Sequence, residues 1–334
     1  MTAPDEAAPA AVRLSLRYDL RAPEFGTPAE ALYAAALEQC AWADGVGFDT
    51  VSLSEHHGSD DGYCPSPLIM AAAVTARTTS LRVLVAALVL PLHDPVRLAE
   101  DLAVLDLVSG GRVDLVVGAG YRPEELAMFG RTMEDRVALV EEGVAVLRTA
   151  WTGEPFEHHG RPARVTPRPK RPGGPTLLLG GATKAAARRA ARLGDGFLPV
   201  DPSLWPVYAE ERARLGLDPG PPPPPPGPLF LHVADDPDRA WASIAPHALH
   251  ETNSYGRWLT SAEGIARYTP TDDADGLRAA GIYAVLTPDE CIAMATASGS
   301  LGLHPLMGGM SPDLAWESLD LVASKVLPAL GHRA

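Results

Sequence analysis

Short apolar runs alternate with longer stretches of helical apolar spacing from Val12 to Leu330. Val12–Tyr18 predicts a strand, and Pro28–Gly45 a helix stopped by Gly45 and Gly47. Asp49–Ser54 predicts a second strand, and the Ala-rich Pro67–Arg77 a second helix. Leu81–Pro91 is almost wholly apolar, which fits a strand buried on both faces of a parallel sheet. Pro95–Val108 is helical, with Pro95 at its start, where a missing N–H costs nothing. Val113–Gly118 and Glu134–Trp151 predict the fourth strand and the fourth helix.

A polar, Pro-rich stretch, Gly153–Pro175, follows. Beyond it Thr176–Leu179, Gly196–Val200 and Leu229–Val233 read as strands, and Lys184–Leu193 and Trp205–Leu215 as helices. The unbroken run Pro221–Pro226 predicts a stiff, extended surface connector. Asp235–Ser300 is irregular, with helical pieces near Asp238–His250 and Pro288–Ala295; Leu301–Leu306 is a weak last strand and Pro312–Leu330 a closing helix. Eight alternations predict an α/β fold, a (β/α)8 TIM barrel over residues 12–330, with 235–300 as an insertion or lid. Residues 1–11 read as a disordered tail. A doubly wound sheet would show G-x-G-x-x-G after its first strand, and Tyr18–Thr27 lacks it.

Charge narrows the partners. Acidic residues outnumber basic ones 42 to 28, a formal net charge of −14, which argues against nucleic acid or an anionic membrane as the main partner. No apolar run nears the ~20 residues that cross a bilayer. MTAPDEAAPAA lacks the basic start and apolar core of a secretory signal. Widely spaced Cys40, Cys64 and Cys291 suggest reduced thiols. A cytoplasmic enzyme is expected.

Polar residues just past the carboxyl ends of parallel strands are how such a barrel builds a site. Glu55, His56 and His57 end the second strand. Adjacent strand-end side chains point in opposite directions, so the two imidazoles cannot easily share one ion. His247 and His250 are three apart, but nothing in the sequence ties them to that pair. Metal binding, a structural hydrogen bond at the rim and an acid–base role all remain open for the histidines. Gly180-Gly181-Ala182-Thr183 ends a strand and opens a helix, and Lys184, Arg188 and Arg189 are close by; free N–H groups there suit a phosphate. Cys64 has no activating partner in the sequence.

Several motifs carry a resemblance: GFDTVSLSEHH (Gly47–His57), VAALVLPLHDPVRLAED, LDLVSGGR and the Glu-Glu-Leu-Ala-Met-Phe-Gly stretch ending at Gly130. With TPDECIA (Thr287–Ala293) and the closing helix, the chain resembles the bacterial luciferase-like flavin monooxygenases, TIM-barrel proteins that include users of the deazaflavin F420. The resemblance implies that His56 is the catalytic histidine near the flavin edge, with Glu55 and His57 flanking and orienting it. It implies a non-proline cis peptide at Ala86-Ala87 beneath the ring, the cofactor phosphate at Gly180, Gly181, Ala182 and Thr183, and a dimer interface near Arg97, Glu100 and Asp101. The Cys-Arg pair of the luciferases is Gly118 and Ala119 here, in GAGYRPEE; Gly118, Gly120 and Tyr121 would line the cofactor, and Arg122 would replace the phosphate-gripping arginine. Leu286 stands where the family has a glycine.

The function so implied is a two-component monooxygenase. Reduced FMN from a separate flavin reductase would bind with O2, and one oxygen atom would enter a small organic substrate. The absence of an NAD motif and the likeness to dimeric relatives make a reductase and a second copy of this chain the expected partners. An F420-dependent hydride-transfer oxidoreductase is the alternative, and a non-catalytic flavin-binding subunit a further one. Tyr63, Cys64, Trp241, Tyr255, Trp258 and Tyr268 are candidates for an aromatic substrate cavity.

Overall fold

One parallel ladder carries the fold in the computed structural model, which describes residues 12–223, 227–259 and 268–332. The strands are β1 (Arg13–Tyr18), β2 (Thr50–Leu53), β3 (Arg82–Val89), β4 (Val113–Gly118), β5 (Phe156–His158), β6 (Arg161–Ala163), β7 (Leu177–Gly181), β8 (Gly196–Pro199), β9 (Phe230–Val233), β10 (Tyr283–Leu286) and β11 (Ser300–Leu303). The large sheet runs β11-β1-β2-β3-β4-β7-β8, with every pair parallel. Parallel neighbours need crossovers, and helices supply them: α1 (Ala29–Gly45), α2 (Pro67–Arg77), α3 (Pro95–Val108), α4 (Pro123–Met128), α5 (Arg136–Ala150), α6 (Lys184–Leu193), α7 (Trp205–Arg214), α8 (Pro237–Leu259), α9 (Ala274–Ala279), α10 (Pro288–Ser298) and α11 (Pro312–Leu321).

Local chemistry sets where these helices begin. The Asp94 carboxylate accepts from Val96 N and Arg97 N ahead of Pro95, fixing the start of α3. Thr287 and Glu290 form a reciprocal capping box on α10, which Gly299 ends at φ +67°. Leu14, Leu16, Val51, Leu53, Val83, Val85, Val113 and Leu115, two from each of the first four strands, are buried in one continuous core.

Several expectations need correction. The eightfold closure is seen only in part: β9 forms its ladder with β10 and packs beside β11 without one, so the seven-stranded sheet keeps edges at β8 and β11. The β9 partner, β10, lies within the stretch read as irregular. Most of residues 235–300 is regular structure, including the long helix α8. The polar stretch 153–175 hides an antiparallel hairpin, β5–β6, too short for periodicity to show. The last strand stops at Leu303, while the closing helix runs as expected from Pro312 to Ala329, with a wider turn at Val322–Val326. The N-terminal tail and residues 224–226 of the proline run lie outside the described residues. No helix among the described residues is long and apolar enough to cross a membrane.

Candidate active site

Just past the end of β2 the Glu-His-His trio splits into two groups. Glu55 and His57 fall on one side: His57 Nε2 donates to Glu55 Oε1 at 3.0 Å, and His93 Nε2 donates to the same oxygen at 2.9 Å. Val89 N donates to Glu55 Oε2 at 2.6 Å. His56 points the other way, so Glu55 and His57 do not orient it. Glu125 of α4 takes that role, with Oε1 2.7 Å from His56 Nδ1. The same oxygen accepts from His57 N at 3.0 Å and from Arg122 Nη1 at 2.7 Å.

These contacts define the tautomer. Burial alone would raise the Glu125 pKa, but the hydrogen bond and charge of His56, the His57 N–H and the Arg122 charge bring it below its usual value. An ionised carboxylate can only accept, so His56 Nδ1 carries the proton. Burial holds the His56 pKa below its ordinary value; Glu125 pulls it up, and the charges of Arg21 and Arg122 push it down. The neutral ring therefore presents a bare Nε2, 3.0 Å from the Tyr121 hydroxyl. Burial first, then Tyr255 and Glu125, raise the Tyr121 pKa, so its O–H stays protonated and donates to Nε2. The result is a directed chain, Tyr121 O–H to His56 to Glu125.

Next to this chain the strand ends form a floor. The Ala86–Ala87 peptide is cis, at a register shift in the β3–β4 ladder. Ala86, Ala87, Gly118, Gly120, Gly180 and Gly181 are half-exposed, whereas Val85, Leu88, Val117 and Leu179 beside them are buried. A Cβ at Gly118 would stand 3.1 Å from Ala87 Cβ, and one at Gly180 3.2 Å from Val116 Cγ1. A partly exposed floor of small residues fits a flat heterocycle such as the family's flavin. Gly181 and Ala182 lead into α6, whose first turn is capped by the Thr183 hydroxyl accepting from Ala186 N at 3.1 Å. The remaining N–H groups of that turn can take a phosphate. Arg189 of α6 lies near the charges of Glu141 and Arg192.

Arg122 is not free to grip a phosphate. Its guanidinium is bound to Glu125, donates to the His57 carbonyl at 3.1 Å and lies 4.1 Å over the Trp258 ring. It belongs to the histidine's setting.

An aromatic wall closes over His56. Tyr63 and Trp258 each have ring centroids 4.8 Å from the imidazole, and Tyr121 lies at 5.4 Å. Fully buried Arg21 stacks on Tyr63, Tyr255 and Trp258 at 4.7, 4.7 and 4.4 Å, and pairs with Asp61, which also accepts from His250 Nε2 at 2.8 Å. His247 instead meets the Gly308 carbonyl at 2.8 Å. A cavity of about 110 Å³ opens beside this wall, lined by Arg122, Trp258, Asp61 and His250. It holds a few waters but not a three-ring molecule. Cys64 is buried, which pushes its thiol pKa up and leaves it unreactive. Sequence reasoning missed Glu125, His93, Arg21 and Asp61; Glu125 follows Pro123 at the opening of α4, a helix too short to be recognised by spacing.

Fold and site together define an α/β protein with a parallel sheet whose polar machinery stands at the carboxyl end of its strands. The family model for luciferase-like monooxygenases matches residues 20–304, and this chain belongs to that family, whose members are flavin-dependent monooxygenases and oxidoreductases. Among curated relatives, the 4-hydroxyprotoasukamycin monooxygenase of Streptomyces nodosus subsp. asukaensis is 32% identical over 46% of this chain and 43% of its own. The F420-dependent glucose-6-phosphate dehydrogenase of Amycolatopsis mediterranei is 29% identical over 59% and 61%. The chain spans about half the length of the curated relatives it matches. Among solved structures, the oxygenating constituent of 3,6-diketocamphane monooxygenase from Pseudomonas putida, in complex with FMN, shares the fold with a TM-score of 0.70, 19% identity and 95% and 98% coverage.

Proposed function

We propose that this chain is the oxygenating member of a two-component, FMN-dependent monooxygenase that accepts reduced flavin from a separate reductase. The observation that carries this reading is the chain Tyr121–His56–Glu125 standing beside the small-residue floor at Ala86-Ala87. Ala86, Ala87, Gly118 and Gly120 would support the ring, and Gly180, Gly181, Ala182 and Thr183 the phosphate. When bound, reduced FMN supplies the electrons that activate O2. The protein's own groups bind, orient and move protons. Glu125 holds the imidazole by Nδ1, leaving Nε2 as a base or acceptor at neutral pH; the Tyr121 O–H, which keeps its proton, hydrogen-bonds that nitrogen and orients it. Tyr63, Tyr255 and Trp258 keep bulk water from the reacting atoms. Eightfold barrel closure and a homodimer, drawn from the family, and a cytoplasmic setting and a lid formed by part of 235–300, drawn from the sequence, complete the proposal.

The F420-dependent relative favours a second reading, hydride transfer to or from a deazaflavin. The two readings separate when the protein is mixed with reduced FMN, air and small organic ketones or phenols, and separately with reduced F420 under nitrogen. The monooxygenase reading expects oxygenated product from the first mixture, lost in His56→Ala. Productive consumption of reduced F420 with none of reduced FMN would overturn it.

A further inference from the structure

Glu142, His158 and His159 form a cluster that the proposed chemistry does not use. The β5–β6 hairpin turns on His159 and Gly160, with φ +49° and +70°. Left-handed values at both positions mark the tight hairpin turn that ordinarily carries Asn-Gly. Histidine in the first position puts an imidazole at the hairpin tip, facing α5. His159 Nε2 lies 3.0 Å from Glu142 Oε1, and His158 Nδ1 lies 3.9 Å from the same oxygen. The two imidazole centroids are 4.0 Å apart, and one ligand atom from each of the three residues falls within 4.8 Å of the others.

Bonds of about 2.0–2.1 Å to a tetrahedral zinc ion place its ligand atoms about 3.3 Å from one another. Separations of 3.0 and 3.9 Å straddle that value, so small side-chain rotations would bring the three atoms onto one ion. Two neutral imidazoles and a carboxylate are the donors that borderline divalent cations prefer. Among the described residues no Lys or Arg forms an ion pair with Glu142, so its charge is not already matched. A buried trio, Asp19, Glu251 and His304, is as closely spaced, but Arg21 Nε lies 3.5 Å from Asp19 and Arg17 Nη2 3.7 Å from Glu251. Those guanidiniums already supply the positive charge an ion would bring. We infer that Glu142, His158 and His159 form a surface site for one zinc-like divalent cation, with water in the open positions, tying the hairpin tip to α5.

The test is a calorimetric titration of untagged protein with Zn2+ alone, followed by thermal unfolding with and without the ion. Wild type should bind one ion at this site and melt higher with it. His159→Asn is the informative variant, because Asn suits the left-handed turn and so preserves the hairpin while removing a ligand. It and Glu142→Gln should each weaken binding by about tenfold or more, at least the loss that follows removal of a mere supporting contact to a metal ligand. No binding to wild type at micromolar Zn2+, or binding unchanged in both variants, would overturn the assignment. Loss of binding in Asp19→Asn with both surface variants unaffected would move the site to the buried trio and equally refute it.

Discussion

Glu125→Gln is the substitution that most directly probes the site. Glu125 Oε1 accepts from three donors at 2.7, 3.0 and 2.7 Å: His56 Nδ1, His57 N and Arg122 Nη1. Glutamine keeps an accepting oxygen and nearly the same shape but removes the charge. A hydrogen bond to a charged group contributes about 1.5–3 kcal/mol, against about 0.5–1.5 for a neutral one. The His56 and His57 N contacts become neutral and weaken by roughly 1–1.5 kcal/mol each, while Arg122 keeps a charge-assisted bond, for a total of roughly 2–3 kcal/mol. That stays below the about 3–5 kcal/mol of a buried pair broken outright, because the amide oxygen still accepts. At about 2–4 °C per kcal/mol the melting temperature should fall by about 4–12 °C in scanning calorimetry. Glu125 also pulls the His56 pKa upward, so in the variant the imidazole should titrate at still lower pH, read by NMR of labelled histidine. A His56 titration that does not move, together with an unchanged melting temperature, would refute the directed chain.

Three further outcomes are expected. Tyr121→Phe removes the donor to His56 Nε2, so product formation should drop while cofactor affinity, measured by flavin fluorescence, stays near wild type; equal losses in both would make Tyr121 a mere binding residue. Glu55, although buried, has a folded pKa of about 2 against the usual 4.5, because the His57 and His93 hydrogen bonds, the His93 charge and Val89 N outweigh desolvation. Its contribution, roughly 3 kcal/mol, is fully present above pH 4.5 and lost as the pH falls toward 2, so urea midpoints should drop over that window and less so in Glu55→Gln; parallel curves would contradict it. Gly181→Ala puts a methyl against Ala186 Cβ, where α6 meets β7, and should cost about 1–3 kcal/mol in chemical denaturation; a neutral result would mean that α6 can move away.

How much of this was legible in the residues depended on the length of each signal. The bounds Pro67–Arg77, Pro95–Val108, Val113–Gly118 and Lys184–Leu193 agree with α2, α3, β4 and α6 because each begins or ends on an unambiguous cap, a proline or a glycine. The strands β5, β6 and β10 and the helix α4 escaped, since three to six residues do not complete a period. The site divides in the same way. His56 could be singled out because an imidazole at a strand end is chemically conspicuous. Glu125 could not, since its role arises from a contact across 69 residues that only the fold creates. Arg122 invited a reading as a phosphate ligand, and only the coordinates place it against Glu125 and Trp258.

Two adjacent histidines meet opposite fates just past β2. In a helix the two imidazoles would stand about 100° apart, without the opposed directions of an extended segment. Here each has its own carboxylate: Glu55 holds His57 together with His93, and Glu125 holds His56. Each carboxylate is pulled below its ordinary pKa by the hydrogen bonds it accepts, so neither can return a proton to its histidine near neutrality. Only His56 then has a nitrogen facing a hydroxyl donor within an aromatic wall; the His57 ring is tied to Glu55 on the other side of the strand. The asymmetry that makes one of the pair a candidate base thus follows from the separate carboxylates that the two side chains meet just past β2.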